Sequence, residues 1–113
     1  MTVASYFVSV VVPLANDGDV LEPFVEELLG TLRAGWMNYE VLLVDDGSRD
    51  ETRAAAGRLL AKHECLRYLR LSRRFGPEVA LLAGMDNVIG DVVVVLQPES
   101  DPPALLPKFV ETA

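Results

Sequence analysis

A chain of 113 residues, half of them apolar, can bury one hydrophobic core and is read as a single domain over residues 1–113. Its formal net charge of −7 and isoelectric point near 4.5 argue against a phosphate-backbone binder, so nucleic acid is excluded as a main partner. The apolar runs Phe7 to Val12 and Val92 to Leu96 fall far short of the roughly 20 residues that cross a bilayer, and Met1 to Ser5 lacks the basic start of a signal peptide.

Strand and helix signals alternate along the chain, the pattern of a parallel sheet with crossover helices. Phe7 to Val12 reads as the first strand, stopped by Pro13. Val20, Leu21, Phe24, Val25, Leu28, Leu29 and Leu32 then recur at helical spacing, on a helix that opens near Asn16 to Asp19 and ends by Gly35. Tyr39 to Val44 is the second strand, and Thr52, Ala55, Ala56, Leu59 and Leu60 line the inner face of the second helix. His63, near the end of that helix, reads as a surface residue or a partner of the helix dipole. Cys65 has no second cysteine to pair with and no zinc-spaced neighbour, which makes a reducing cytoplasm the expected setting.

Leu66 to Leu71 makes a short third strand. Gly76-Pro77 opens the next helix, expected to turn Val79, Leu82, Ala83 and Met85 inward before Gly90 ends it. Asp91 to Leu96, with four consecutive valines, is the fourth strand, and Pro103 to Val110 begins a last helix.

The most informative stretch is Val41 to Thr52, where a continuous apolar run meets Asp45-Asp46-Gly47-Ser48. Such a run reads as a strand covered on both faces. Gly47 suits a turn that needs positive φ, and Ser48 with Glu51 has the spacing of a capping box. In open parallel sheets ligands sit at the carboxyl ends of the strands, so the two acids can accept hydrogen bonds from a base or ribose, or approach a cation. Right-handed crossovers bring the ends of the first, second and fourth strands to one crevice. Any activity then lies in the loops Pro13 to Asp19, Asp45 to Ser48 and Gln97 to Pro103, with Arg73 and Arg74 as guanidinium groups suited to a diphosphate.

Val10-Val11-Val12-Pro13, Leu43 to Thr52, Leu71 to Gly76, Gly84-Met85-Asp86, Gly90-Asp91 and Asp101-Pro102-Pro103 occur together in one order and spacing. They resemble the nucleotide-sugar-binding half of a family 2 inverting glycosyltransferase, nearest the branch of dolichol-phosphate mannose synthase and the bacterial polyprenyl-phosphate glycosyltransferases. The resemblance covers residues 7–111. It implies an α/β fold with a three-layer, Rossmann-like parallel sheet, the N-terminal half of a GT-A fold. It also implies a nucleoside-diphosphate sugar as donor and, in the full-length protein, polyprenyl phosphate as acceptor at the inner face of the membrane.

By matching positions, the resemblance implies a nucleotide-sugar site of Pro13, Asp17 and Asp46 with Asp45 in support, Arg73 as the family arginine, and Asp91. Family members hold magnesium or manganese with an Asp-x-Asp motif in the pattern Asp-Ala-Asp-Leu-Gln-Asp-Pro-Pro. This chain has Gln97-Pro98-Glu99-Ser100-Asp101-Pro102-Pro103, one residue shorter and without the first Asp. Glu99 is then the residue that replaces the second Asp with an oxygen ligand, and the shortened loop draws in Asp101. The family continues with an acceptor-binding half and a general base, so no catalytic base is named in these 113 residues, and a missing edge element is expected to favour self-association.

Three other readings stand beside this one. A non-catalytic nucleotide-sugar-binding or interaction module keeps the fold and fits the altered Gln97 to Asp101 segment. A receiver-like phosphoacceptor domain shares the sheet but carries its acidic pair after the first strand rather than the second. A dinucleotide oxidoreductase lacks support, since no Gly-x-Gly-x-x-Gly follows the first strand.

Overall fold

Long runs of β-branched and leucine side chains cannot be left half-solvated, and they form the two central strands of a four-stranded parallel sheet. The computed structural model describes residues 4–107. Its strands are β1 (Ala4–Leu14), β2 (Trp36–Asp45), β3 (Leu66–Arg70) and β4 (Val92–Val95), in the order β3-β2-β1-β4. Helices α1 (Leu21–Gly35) and α2 (Thr52–Lys62) cover one face, and α3 (Pro77–Met85) lies on the other. The steps from β1 to β2 to β3 run one way; the return from β3 to β4 carries α3 across the opposite face. A 3-10 turn over Pro103–Leu105 stands where the last helix was expected to begin, and residues 108–110 of that helix lie outside the described residues.

The larger core joins Val8, Val10, Val12 and Leu14 of β1 with Leu21, Phe24, Leu28 and Leu32 of α1 and Ala55, Ala56 and Leu59 of α2. The smaller one joins Val11, Leu42 and Val44 to Ala80 of α3. Alternation of β1 residues between the two clusters is the period-2 geometry of a strand buried on both sides.

Pro13 does not stop β1. Leu14 accepts a bond from Asp46 N–H (2.9 Å) towards β2, while Val11 accepts one from Leu96 N–H (3.0 Å) on the β4 side. Odd-numbered residues therefore face β4, whose pairing with β1 ends at Val11 and Val95. The N–H that proline lacks would point beyond that last pair, so no ladder bond is lost.

The expected capping box is not formed. Ser48 Oγ accepts instead from Asn16 N–H (2.9 Å), and Asp50 Oδ1 takes the Thr52 N–H (2.9 Å) at the start of α2. Ser48 thus ties the second loop to the first, a long-range use that local spacing does not reveal.

Helix α3 also faces differently from expectation. It buries Ala80 and Gly84, while Val79, Leu82 and Met85 are exposed and Ala83 is half-buried. The reason is close approach: a Cβ on Gly84 would stand 2.6 Å from Val11 Cγ1 and 3.0 Å from Val44 Cγ2, so only small residues let this helix sit on the sheet.

At the amino end of the sheet, buried Glu40 accepts from Ser9 Oγ (2.6 Å), Ile89 N–H (2.9 Å) and Arg67 Nη2 (2.6 Å). Burial pushes its carboxyl up, but these three donors together hold it below the ordinary glutamate value. A depressed carboxyl stabilises the fold above its unfolded pKa and loses that contribution as pH falls through the folded one. Glu40→Gln is therefore expected to flatten the loss of stability below about pH 4.5, where a free glutamate begins to protonate. Urea midpoints measured from pH 6 to 3 check this, and an unchanged slope would contradict it.

Candidate functional site

Strands β1 and β4 part at the point where strand order reverses. Beyond the Val11 and Val95 pair, β1 runs on to Leu14 while the chain leaves β4 through Gln97. The resulting crevice encloses about 210 Å³ and is bordered by Pro13, Asp17, Asp46, Arg74, Ala80 and Glu99. This is the topological switch point, where open parallel sheets take their ligands.

Asp17 is nearly buried, and its Oδ2 accepts the Ala15 N–H (2.8 Å). Burial pushes its carboxyl up, the Ala15 bond pulls it down, and the nearby Glu99 carboxylate pushes it up again, leaving it raised. Two acids thus border the crevice together, with Arg74 also on its border. A raised carboxyl disfavours the fold at neutral pH, and the deficit closes as pH falls through its folded pKa. Glu99→Gln removes the like charge, so it is expected to raise the melting temperature of the free chain at pH 7 and leave it unchanged at pH 3. A lowered melting temperature at pH 7 would contradict the repulsion.

The neighbouring acids have different tasks. Asp46 is 4% exposed; its Oδ1 accepts Phe75 N–H (2.8 Å) and its Oδ2 accepts Gly76 N–H (3.1 Å). It fixes the segment that enters α3 and still has lone pairs for a ligand donor. Asp45 is fully buried and does not border the crevice. It accepts from Ser48 N–H (2.8 Å) and from the Tyr68 hydroxyl, with Arg70 Nε 3.8 Å away. The support expected of Asp45 is thus a turn held from behind. Burial, then the bond to Asp45, push the Tyr68 phenol far above its ordinary value.

Three expectations land elsewhere. Asp91 lies at the opposite end of the sheet, exchanging bonds with Phe7 through its N–H (2.8 Å) and its Oδ2 (2.9 Å), so the four residues of β4 separate it from the crevice. Arg73 borders an adjoining cavity, and Arg74 is the arginine on the crevice. Asp101 turns its Oδ2 to Gln97 N–H (2.9 Å) within its own loop and does not line the crevice, whereas Glu99 does. The shortened loop closes on itself rather than pointing a second acid inward. Among the described residues, no three His, Cys, Asp or Glu side chains converge as a metal site.

Sequence reasoning passed over Asn16 and Tyr68. Asn16 has φ 58°, a left-handed conformation that asparagine tolerates well, and its Oδ1 accepts Arg49 N–H (2.9 Å). Its place in a loop after a strand was the available signal; nothing local marks Tyr68, whose partner is 23 positions away.

A three-layer α/β sheet with this crevice is the GT-A arrangement of glycosyltransferases. The chain matches the model of glycosyl transferase family 2 over residues 9–112 and belongs to that family. It is 35% identical over 104 residues to an uncharacterised glycosyltransferase of Synechocystis sp., covering 91% of this chain and 33% of that protein. It is 36% identical over 110 residues to the undecaprenyl-phosphate 4-deoxy-4-formamido-L-arabinose transferase of Pectobacterium atrosepticum, covering 94% and 33%. The chain spans about a third of the length of these curated relatives. Among solved structures, it resembles a mannosyltransferase from Pyrobaculum calidifontis in complex with GDP-Man and Mn2+, with a TM-score of 0.74 and 26% identity over 81% of this chain and 27% of that one. The fold is shared as well with S. aureus TarS 1-349 in complex with UDP-GlcNAc, at TM-score 0.67 and 24% identity over 92% and 30%.

Proposed function

We propose that this chain is the donor-binding part of a glycosyltransferase that moves a sugar from a nucleoside-diphosphate sugar to polyprenyl phosphate at the cytoplasmic face of a membrane. The observation that carries the reading is the switch-point crevice, which gathers Pro13, Asp17, Asp46, Arg74 and Glu99 from separate loops. The names of the relatives support it: undecaprenyl phosphate for one curated protein, GDP-Man and UDP-GlcNAc for the solved structures. In this arrangement Asp46 accepts from the nucleoside and Arg74 offsets phosphate charge.

Glu99 and Asp17, which border the same crevice, are the carboxylates that would hold magnesium or manganese as hard-oxygen ligands. A bound cation would neutralise the diphosphate leaving group. Calorimetric titration with GDP and with UDP, each with and without manganese, tests the reading. Binding of one nucleotide that strengthens with manganese, and loses that gain in Glu99→Gln, is expected. No heat with either nucleotide at millimolar concentration would remove the proposal.

A second reading has one observation in its favour, the inward-closed Gln97–Asp101 loop. A module that binds nucleotide sugar without transferring it would bind equally well with and without manganese. Self-association remains part of the proposal, supported by the outer edge of β4, unpaired among the described residues, and by the exposed Val79, Leu82 and Met85 of α3.

A further inference from the structure

Four of the eight arginines in this acidic chain, Arg49, Arg70, Arg73 and Arg74, border one cavity of about 420 Å³ on the outer side of the Asp45–Ser48 turn. Among the described residues, no carboxylate lines it. Two other guanidinium groups are neutralised, Arg58 by Glu22 (2.6 Å) and Arg67 by Glu40 (2.6 Å). Among the described residues, the side chains of Arg49 and Arg74 have no hydrogen-bond or ion-pair partner. Asp45, which does not line the cavity, is already engaged by Ser48, Tyr68 and Arg70.

The cavity is built rather than accidental. Arg70 Nη2 donates to Ser48 O (3.1 Å), and the Arg73 guanidinium lies 4.8 Å from the Phe75 ring centroid. The Arg49 backbone is pinned by Asn16 Oδ1, and the Gly47 turn packs directly on the Arg73 and Arg74 main chain. These contacts fix the backbone at Arg49, Arg73 and Arg74 and the side chains of Arg70 and Arg73, and the Ser72 hydroxyl adds a neutral donor. Like charges gathered at this density in a chain of net charge −7 repel one another unless an anion joins them.

We propose that this cavity is a second phosphate-binding site, separate from the nucleotide crevice and sharing only Arg74 with its border. Its ligand is a phosphate group presented to planar guanidinium forks, which match phosphate oxygens in pairs. A soluble phosphate compound and a phospholipid headgroup offer the same chemistry. The proposal does not rest on the glycosyltransferase reading.

The test uses pyrophosphate in solution and vesicles containing phosphatidylglycerol, each against the unaltered chain, Arg49→Ser/Arg73→Ser and, as a crevice control, Glu99→Gln. Backbone amide resonances of Gly47, Arg49 and Ser72 are expected to move with pyrophosphate, and the double variant is expected to weaken binding about tenfold, as loss of charge-assisted bonds does. Glu99→Gln should leave the affinity within about twofold of the parent, since Glu99 does not line this cavity. Vesicle binding that the double variant abolishes, with no response to pyrophosphate, assigns the site to a lipid headgroup; the converse assigns it to a soluble phosphate. Failure of the parent to bind either probe overturns the proposal. So do shifts confined to Gln97 and Glu99, or binding unchanged in the double variant.

Discussion

Gly47→Ala is expected to cost about 2–5 kcal/mol of folding stability, the sum of a left-handed backbone penalty and an overpacking penalty. Gly47 has φ 69°, and a Cβ there would stand 2.6 Å from Arg74 N and 2.7 Å from Arg73 C. Both obstructing atoms are main chain, so no rotamer change relieves the clash. The turn would have to lift from the segment after β3, and Asp46 would lose its hold on Phe75 and Gly76. Urea unfolding measures the effect. Gly57→Ala is the control, since its Cβ meets nothing within 4 Å on an exposed face of α2; it is expected to stabilise by about 0.5 kcal/mol. Equal midpoints for the two variants would refute the account of the turn.

The second large effect belongs to Asp45→Ala, expected to destabilise by about 3 kcal/mol. This is the low end of the range for breaking a buried pair, because Arg70 is partly exposed and can rehydrate. The Ser48 N–H and the Tyr68 hydroxyl lose their acceptor together. A double-mutant cycle with Tyr68→Phe separates that bond from the rest. The Tyr68 phenol should also titrate lower in Asp45→Asn, though only in part, since burial is the larger cause of its elevation. Additive losses in the cycle, with an unmoved phenol titration, would show that the two side chains act independently.

The order of elements and the switch-point crevice were legible in the sequence because they follow from long apolar runs and from the handedness of crossovers. The carboxylate pair was legible too, but not the division of labour between its members, which depends on Tyr68, Phe75 and Gly76 arriving from the other side of β2. Asp91 shows the limit of motif matching: it stands beside Gly90 in the family order, yet strand direction puts it at the wrong end of the sheet. The misjudged face of α3 has a different cause. Periodicity identifies an apolar stripe, but here Ala80 and Gly84 win the inner face because the sheet beneath, with Val11 and Val44, leaves no room for larger side chains. Pro13 was misread for a similar reason, since whether a proline ends a strand depends on which neighbour its nitrogen faces.

The thin attachment of α3 has a consequence for how the molecule breathes. A nine-residue helix that buries only Ala80 and Gly84 has little to resist local opening, whereas residues 8–12 of β1 and 41–45 of β2 are buried on both faces. Its amides are expected to exchange with solvent by sub-global unfolding, at a free energy well below that of the central strands. The same opening strips Asp46 of its two backbone donors at Phe75 and Gly76. Occupancy of the crevice and order in α3 are therefore linked equilibria: whatever engages Asp46 in the closed form draws the helix down onto the sheet, and whatever peels the helix away empties the crevice.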